Sequence, residues 1–585
     1  MPLAPASWGT DLPVTAKAMN TALYTYTPGN AHTPSGILFH ANRPLLVEGL
    51  AAAANQGSSL QGTYTNMGGL TWKNYYDNSV MFGNGADFQY ATGTGRFNAR
   101  VAGSSGVAGS ASGYYLIWGN ASFTGTANAG GSGAAINENG TTVPGGLQLS
   151  STTRFNAGYA LDLSVVGQGA VFGLMGYCAD SSAGSFGYNY HQPDYSGDVP
   201  RLYAAWTGVS SGGGTVSTLP APASYTSATS ITSSLLNGTT GINGPLSFLD
   251  YPPLLRASAA VSQSLTSSTV TVVGVGAATI DTWSGYNTST HTYTVPVSGV
   301  YLVYGLVFYA SGSTNTLTAG VQVNGTLNLF GPAYTAAGSG NSACQMTRLL
   351  DLHAGDTVSL ITYTTGASNS TGTAAPCRLV LVWLSSLAPS DGAWSWTPPL
   401  TGYRWQAGTP GSQLPALFTQ HLTNDLSFLL QRPYLLAYQS SAQTGLSQNA
   451  FHVITMNTLG GRVHTAAGDS YGGWTSGSSN LYTAPADGWY LVQGGYIQAI
   501  PSLTPAVCWA GITQAPAGSQ TPDEYQHMST TSASRPPGAE AVGMYYLRAG
   551  DTVQPVYQQQ DGGGTFSTSV AAGQESSFGI VWMCE

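Results

Sequence analysis

One pattern occurs three times in this chain, and its spacing limits what the chain can fold into. Residues 111–123 read ASGYYLIWGNASF, residues 297–309 read VSGVYLVYGLVFY, and residues 486–498 read ADGWYLVQGGYIQ. The shared core is Ala/Val-Ser/Asp-Gly-x-Tyr-Leu-Ile/Val-x-Gly, with glycines at Gly113, Gly299 and Gly488 and tyrosines at Tyr115, Tyr301 and Tyr490. The interval of about 190 residues is one domain length, too long for a solenoid repeat. The chain therefore reads as three copies of one folding unit. In each copy the glycine makes a turn and the tyrosine centres a core strand. If the turn needs positive φ, a side chain at Gly299 is destabilising.

Flanking features recur in the same order. Upstream of the second and third copies, HTYTVPVSG and NLYTAPADG each place a proline, Pro296 or Pro485, between a short strand and the turn. Proline lacks the amide hydrogen that a ladder needs, so it belongs at a strand end. Downstream, AAINENGTT (134–142) matches AGVQVNGTL (319–327), and Asn139-Gly140 and Asn324-Gly325 are strong hairpin signals. LLDLHAGDTVSL (349–360) matches YYLRAGDTVQPV (545–556), while ALDLSVVGQGAVF (160–172) keeps Gly167 but has Gln168 where the others have Asp356 and Asp551. Each copy closes on a strand bearing Trp206, Trp383 or Trp582.

A second element precedes each copy: ILFHANRPLL (37–46), LSFLDYPPLL (246–255) and LSFLLQRPYLL (426–436), with Pro44, Pro253 and Pro433 five residues after Phe39, Phe248 and Phe428. In 414–433, Leu417, Phe418, Leu422, Leu426 and Leu429 recur at three- and four-residue steps, which predicts a short amphipathic helix ended by Pro433. Helix is expected only near 12–24, 229–237 and 412–432. Gly/Ser/Pro stretches at 210–224 and 387–400 read as linkers. The expected layout is a lead segment over 1–60, module 1 over 61–209, a linker with short helix over 210–256, module 2 over 257–386, a second linker with helix over 387–436, and module 3 over 437–585.

Composition supports an all-β reading and excludes several functions. Charged residues make up 7%, against roughly 25% in ordinary domains. Gly, β-branched and aromatic residues instead suit short strands joined by tight turns. The net charge of −9 comes with no Lys/Arg cluster, so neither nucleic acid nor an anionic membrane surface has an electrostatic partner here. No run of 18 apolar residues occurs, so no membrane insertion is expected. Met1 to Gly9 shows no secretory-signal pattern, and synthesis in the cytoplasm is expected. The five cysteines (Cys178, Cys344, Cys377, Cys508, Cys584) are odd in number and widely spaced. They read as buried thiols, with a bridge between Cys344 and Cys377 or Cys508 and Cys584 left open.

Two resemblances follow from these residues. The order strand-Pro-x-Ser/Asp-Gly-x-Tyr-Leu-Val, then Asn-Gly, then Gly-Asp, then an aromatic strand resembles the complement globular-head and tumour necrosis factor superfamily. It does so over 280–385 and 470–585 and more weakly over 90–208. The resemblance implies three tandem ten-strand jelly-roll β-sandwich modules, each preceded by a linker and short helix, that pack as trimers. A homotrimer with equivalent modules stacked in three tiers is the preferred arrangement, because symmetric homo-oligomers dominate. Closure of the three modules of one chain into a pseudo-trimer is the alternative. WGTDLPVTAKAMN (8–20) and RWQAGTPGSQLPALFTQHLTNDLSFLLQRPYLLAYQ (404–439) resemble minor tail and other virion proteins of phages infecting actinobacteria. That resemblance implies a part of the virion, with other virion proteins as partners.

No catalytic constellation stands out. The nine histidines form no metal-ligand spacing, and no nucleophile elbow, phosphate loop or dinucleotide fingerprint occupies a strand-to-helix context. Asp356 and Asp551 fit turn residues better than calcium ligands, since calcium needs six or more oxygens. Trp283, Tyr286, Tyr471 and Trp474 are the candidate contacts for a host-envelope glycan, because loop aromatics favour binding surfaces; burial in cores is the competing role. The expected protein has no catalytic, metal or cofactor site. It is read as a minor tail or tail-tip protein of the virion with a role in host attachment. A capsid decoration or head-fibre protein is the alternative, followed by a secreted binding module of the complement and tumour necrosis factor type.

Overall fold

A computed structural model describes residues within 40–50, 65–99, 113–178, 201–210, 243–388 and 424–585, with shorter stretches inside these spans left undescribed. Module 1 contains β1 (Leu45–Leu50), β2 (Trp72–Asp77), β3 (Phe88–Ala91), β4 (Arg96–Ala99), β5 (Gly113–Phe123), β6 (Gly131–Glu138), β7 (Thr141–Leu149), β8 (Asn156–Val166), β9 (Val171–Cys178) and β10 (Arg201–Gly208). Module 2 opens with α1 (Asn243–Asp250). It continues with β11 (Leu254–Ala259), β12 (Ala278–Asp281), β13 (Tyr286–Asn287), β14 (Thr292–Thr294), β15 (Gly299–Tyr309), β16 (Thr316–Val323), β17 (Leu327–Phe330), β18 (Ser342–Leu352), β19 (Thr357–Thr364) and β20 (Cys377–Ser385). Module 3 opens with α2 (Asn424–Leu430). It continues with β21 (Tyr434–Tyr438), β22 (Thr458–Leu459), β23 (Trp474–Thr475), β24 (Leu481–Thr483), β25 (Gly488–Ile497), β26 (Ala506–Thr513), β27 (Glu524–Thr530), β28 (Gly538–Leu547), β29 (Thr552–Gln560) and β30 (Ser577–Cys584).

Each module is a jelly roll of two antiparallel sheets. In module 1 the sheets run β2-β1-β10-β5-β8 and β3-β4-β9-β6-β7. Modules 2 and 3 repeat this order, as β12-β11-β20-β15-β18 with β13-β14-β19-β16-β17 and β22-β21-β30-β25-β28 with β23-β24-β29-β26-β27. The register repeats as well: Gly113 faces Val166, Gly299 faces Leu352, and Gly488 faces Leu547. The hairpin signals act as expected. Asn139, Gly140, Asn324 and Gly325 all take positive φ, and they turn β6 into β7 and β16 into β17.

The repeated motif works through packing rather than turn conformation. Only Gly488 of the three motif glycines has positive φ, so the turn requirement does not extend to Gly113 and Gly299. What the three share is an indole lying on the glycine. A Cβ there would stand 2.3 Å from Trp206 Nε1 at Gly113, 2.2 Å from Trp383 Nε1 at Gly299 and 2.3 Å from Trp582 Nε1 at Gly488. The other side of the indole meets the lead helix. Phe248 packs edge-on to Trp383 at 4.8 Å, and Phe428 packs edge-on to Trp582 at 4.9 Å. The tyrosines sit in the core, and Tyr301 and Tyr490 donate their hydroxyls to the Val297 and Ala486 carbonyls.

The lead element is one structure in all three copies. Pro44, Pro253 and Pro433 end the helical turn, and their carbonyls accept from the amides of Trp206, Trp383 and Trp582 at 2.9, 3.0 and 2.9 Å. The first strand of each module therefore starts at Leu45, Leu254 and Tyr434, earlier than the sequence boundaries at 61, 257 and 437. The third expected helix is described over Asn424–Leu430; the second module's helix lies over Asn243–Asp250, overlapping the start of the repeated Phe-Pro element. The expected helices at 12–24 and 229–237, and most of the linkers, lie outside the described residues.

The three modules of one chain close into a ring. The end of each module donates a backbone hydrogen bond to the lead element of the next: Val209 to Asp250 at 2.7 Å, Ser386 to Leu430 at 2.8 Å, and Glu585 back to Ala41 at 2.7 Å. Ala41, Asp250 and Leu430 each stand two residues beyond the motif phenylalanines, so the three bonds are equivalent and the last one closes the circle. α1 packs against α2 at this pole. Around the ring, β7 lies on β18 and β27 lies on β8, so the edge of one module rests on the last strand of its neighbour's sheet. This explains the burial of strands whose side chains should alternate between core and water. β15, β18 and β20 are buried at every residue, because one sheet face packs inside the module and the other against a sister module. The threefold packing expected of three chains is thus present among three modules of one chain, and those faces are not free for a stacked homotrimer.

Candidate functional site

The four aromatics expected at a glycan surface are held by their own modules. Trp283 packs edge-on to Phe248 at 5.9 Å and donates Nε1–H to the Tyr251 carbonyl at 2.9 Å. Tyr471 takes the corresponding place beside Phe428 at 6.4 Å, with its hydroxyl toward the Gln431 carbonyl. Trp474 lies against Phe578. Tyr286 donates its hydroxyl to the Val275 carbonyl at 2.8 Å, and burial pushes that phenol up to about 12. Both loops are organised by an aspartate: Asp281 accepts from the Gly285 and Tyr286 amides, and Asp469 from those of Tyr471, Gly472 and Trp474. All four are half-buried and packed against the core of their own module. Tyr286 also lines an open groove of about 600 Å3 with Ser284, Asn287, Thr288, Thr294 and Pro296.

The turn aspartates act within their turns. Asp356 and Asp551 follow left-handed Gly355 and Gly550 and accept from the His353 and Arg548 amides at 2.7 and 2.8 Å. Cys344, Cys377, Cys508 and Cys584 are buried free thiols, so neither bridge left open by the sequence is formed. Among the described residues, no group of three or more His, Cys, Asp or Glu could hold a metal ion. No described helix is long and apolar enough to cross a membrane.

The concentrated chemistry lies in the seams between modules. At the seam of modules 1 and 2, Asp162 on β8 is fully buried and faces two arginines of module 2. Arg256 grips it with two bonds, at 2.8 and 2.6 Å. Arg378 is 1% exposed; its Nε lies 3.5 Å from the carboxylate, while its Nη1 donates to the Leu161 and Pro144 carbonyls. Glu138 nearby is pushed up to about 7, first by burial and then by the Asp162 charge.

Modules 2 and 3 meet through an extra segment of module 3, residues 460–464, which follows β22. Asp351 on β18 accepts the Val463 and His464 amides at 3.0 and 2.8 Å. The His464 ring stacks on His353 at 3.7 Å and places Nε2 2.6 Å from Asp356. Deeper in, Arg348 donates to the Phe330 and Glu575 carbonyls, and Arg462 pairs with the Glu575 carboxylate at 2.6 Å. Burial raises Asp351 to about 6.

Tyr159, Gln345 and Glu540 occupy one equivalent position on β8, β18 and β28. The Glu540 carboxylate accepts the Thr347 amide at 3.0 Å. Burial pushes Glu540 up to about 8, against the opposing pull of Arg348, Thr347 and Tyr159. The lead elements of modules 1 and 2 also meet, with His40 Nε2 3.2 Å from Asp250, and within module 1 Arg43 lies over the Trp206 ring.

Several of these residues fall inside the repeated segments, such as Asp162 in 160–172 and Asp351 and Asp356 in 349–360, but the repeat itself does not mark them as seam residues. One signal was available: Asp162, Arg256, Arg348, Arg378 and Glu540 are charges inside apolar strand sequences of a chain that spends few charges anywhere. Such charges are costly to bury unless paired.

No protein-family profile matches the chain, and no curated protein matches it. Solved structures similar to it include the globular domain of zebrafish complement 1qA protein, at 14% identity over 22% of this chain and 95% of that one, with a TM-score of 0.19. Eiger TNF from S. frugiperda is 18% identical over 24% of this chain and 99% of that one, with a TM-score of 0.18. Murine APRIL is 10% identical over 28% of this chain and 98% of that one, with a TM-score of 0.18.

Proposed function

We propose that this chain is a non-catalytic structural component of a bacteriophage virion, a minor tail or tail-tip protein with a part in host attachment. The observation that carries the reading is the polarity of the ring. The lead elements at His40–Ala41, α1 and α2 are joined at one pole, so the N-terminal end of the described chain stands there. A head held at one pole and presenting loops elsewhere suits a part that is anchored on one side and exposed on the other. The resemblance of 8–20 and 404–439 to virion proteins of phages infecting actinobacteria supplies the context.

Negative-stain imaging of intact particles with a labelled antibody tests this. Label on the tail supports the reading. Label on the capsid replaces it with a decoration or head-fibre role. Absence of the protein from purified particles overturns it.

A further inference from the structure

The three seams are geometrically equivalent but chemically different at one buried position. Counting back four residues from Val166, Leu352 and Leu547 along the shared register gives Asp162, Arg348 and Gly543, which pair with Ile117, Val303 and Val492. The residue facing this position across the seam also has equivalents: Arg378 pairs with Leu306, Arg201 with Asn120, and Ser577 with Gly495. Around the ring the facing partners are therefore Asp162 with Arg378, Arg348 with Ser577, and Gly543 with Arg201. Only the first is a direct ion pair. At the second, Ser577 stands opposite Arg348, which donates to the Phe330 and Glu575 carbonyls.

Replacing a neighbour by a copy of the same module changes this pattern. In a tier of three second modules, Arg348 of one copy would take the place of Asp162, against Arg378 and Arg256 of the next. Three guanidiniums would then share a largely buried seam, and buried like charges without counterions are strongly unfavourable. The 460–464 segment adds a second restriction. It belongs to module 3, and its receptor is Asp351 of module 2; the residues equivalent to Asp351 in modules 1 and 3 are Val165 and Tyr546, which offer no carboxylate to its amides.

We propose that these seam residues select the neighbour of each module, so that module 2 accepts module 1 on one side and module 3 on the other and rejects its own copy from a second chain. The ring is then a self-contained, ordered assembly, and its specificity lies in Asp162, Arg256, Arg348, Arg378 and Asp351. This holds whether or not the chain belongs to a virion.

Native mass spectrometry of the full chain, combined with hydrogen–deuterium exchange, decides it. The intact chain should run at the single-chain mass of 60.2 kDa over a wide range of concentration. Asp162→Arg should speed exchange at least tenfold in 159–166, 254–259 and 377–385, and more there than at 342–352. Asp162→Arg combined with Arg378→Asp should restore protection at the single-chain mass. A three-chain mass for the unaltered protein overturns the proposal, as does undisturbed exchange in Asp162→Arg. If Asp162→Arg does not fold, the reciprocal variant decides: a folded, protected single chain upholds the pairing, and an unfolded or unprotected one overturns it.

Discussion

Gly299→Ala tests the role of the repeated motif. The new Cβ would stand 2.2 Å from Trp383 Nε1, 2.6 Å from Cδ1 and 2.7 Å from the Ser385 carbonyl oxygen. The indole cannot simply retreat, because Phe248 packs edge-on to it at 4.8 Å. Overpacking of this kind costs about 1–3 kcal/mol, and loosening the aromatic contact adds about 0.5–1.5 kcal/mol. The total of about 1.5–4.5 kcal/mol corresponds to a fall in melting temperature of about 3–18 °C for a domain of this size. Gly325→Ala is the control. It has φ +68 and nothing within 4 Å, so it isolates the conformational penalty of about 1 kcal/mol. Differential scanning fluorimetry with tryptophan emission reads both. Close approach of the indole is refuted if Gly299→Ala melts within about 1 °C of the unaltered protein, or if Gly325→Ala is the more damaging change.

Alkaline pH should loosen the ring. Burial raises Glu540 to about 8, Glu138 to about 7 and Asp351 to about 6, so the folded state holds protons that the unfolded chain has released, and stability falls as pH rises through these values. Glu540 alone accounts for about 1 kcal/mol between pH 7 and 9, and a melting temperature that rises over this range contradicts the assignment. Trp283→Ala and Tyr471→Ala should each lower the melting temperature by removing a ring packed on the lead helix; loss of glycan binding at unchanged stability would instead assign them to a contact surface. Asp551→Ala should cost about 1 kcal/mol through the lost bond to the Arg548 amide, and calcium should leave the melting curve of the unaltered protein unmoved.

The sequence alone determined the number of modules, the strand at each Gly-x-Tyr, the Asn-Gly hairpins and the Gly-Asp turns. These depend on local chemistry: glycine and asparagine tolerate positive φ, aspartate accepts nearby amides, and proline ends helices. The jelly-roll class was legible through the family resemblance that the repeated signals carry, the Gly-x-Tyr strand appearing three times and the Asn-Gly and Gly-Asp turns twice each. What the motif glycine is for was not legible, since the demand comes from a tryptophan 84 to 94 residues later in the chain, as with Gly299 and Trp383 or Gly488 and Trp582. Closure was not legible either. Asp162 meets Arg378, and Asp351 meets His464, only after whole modules have folded and docked, and no local pattern encodes a partner that distant. The loop aromatics mark the same limit: exposed or packed, Trp283 and Tyr471 look alike in sequence, and only the approach of the lead-helix phenylalanines decides that they are packed. Local chemistry thus sets the elements, while burial of charge and close packing between distant segments set the arrangement.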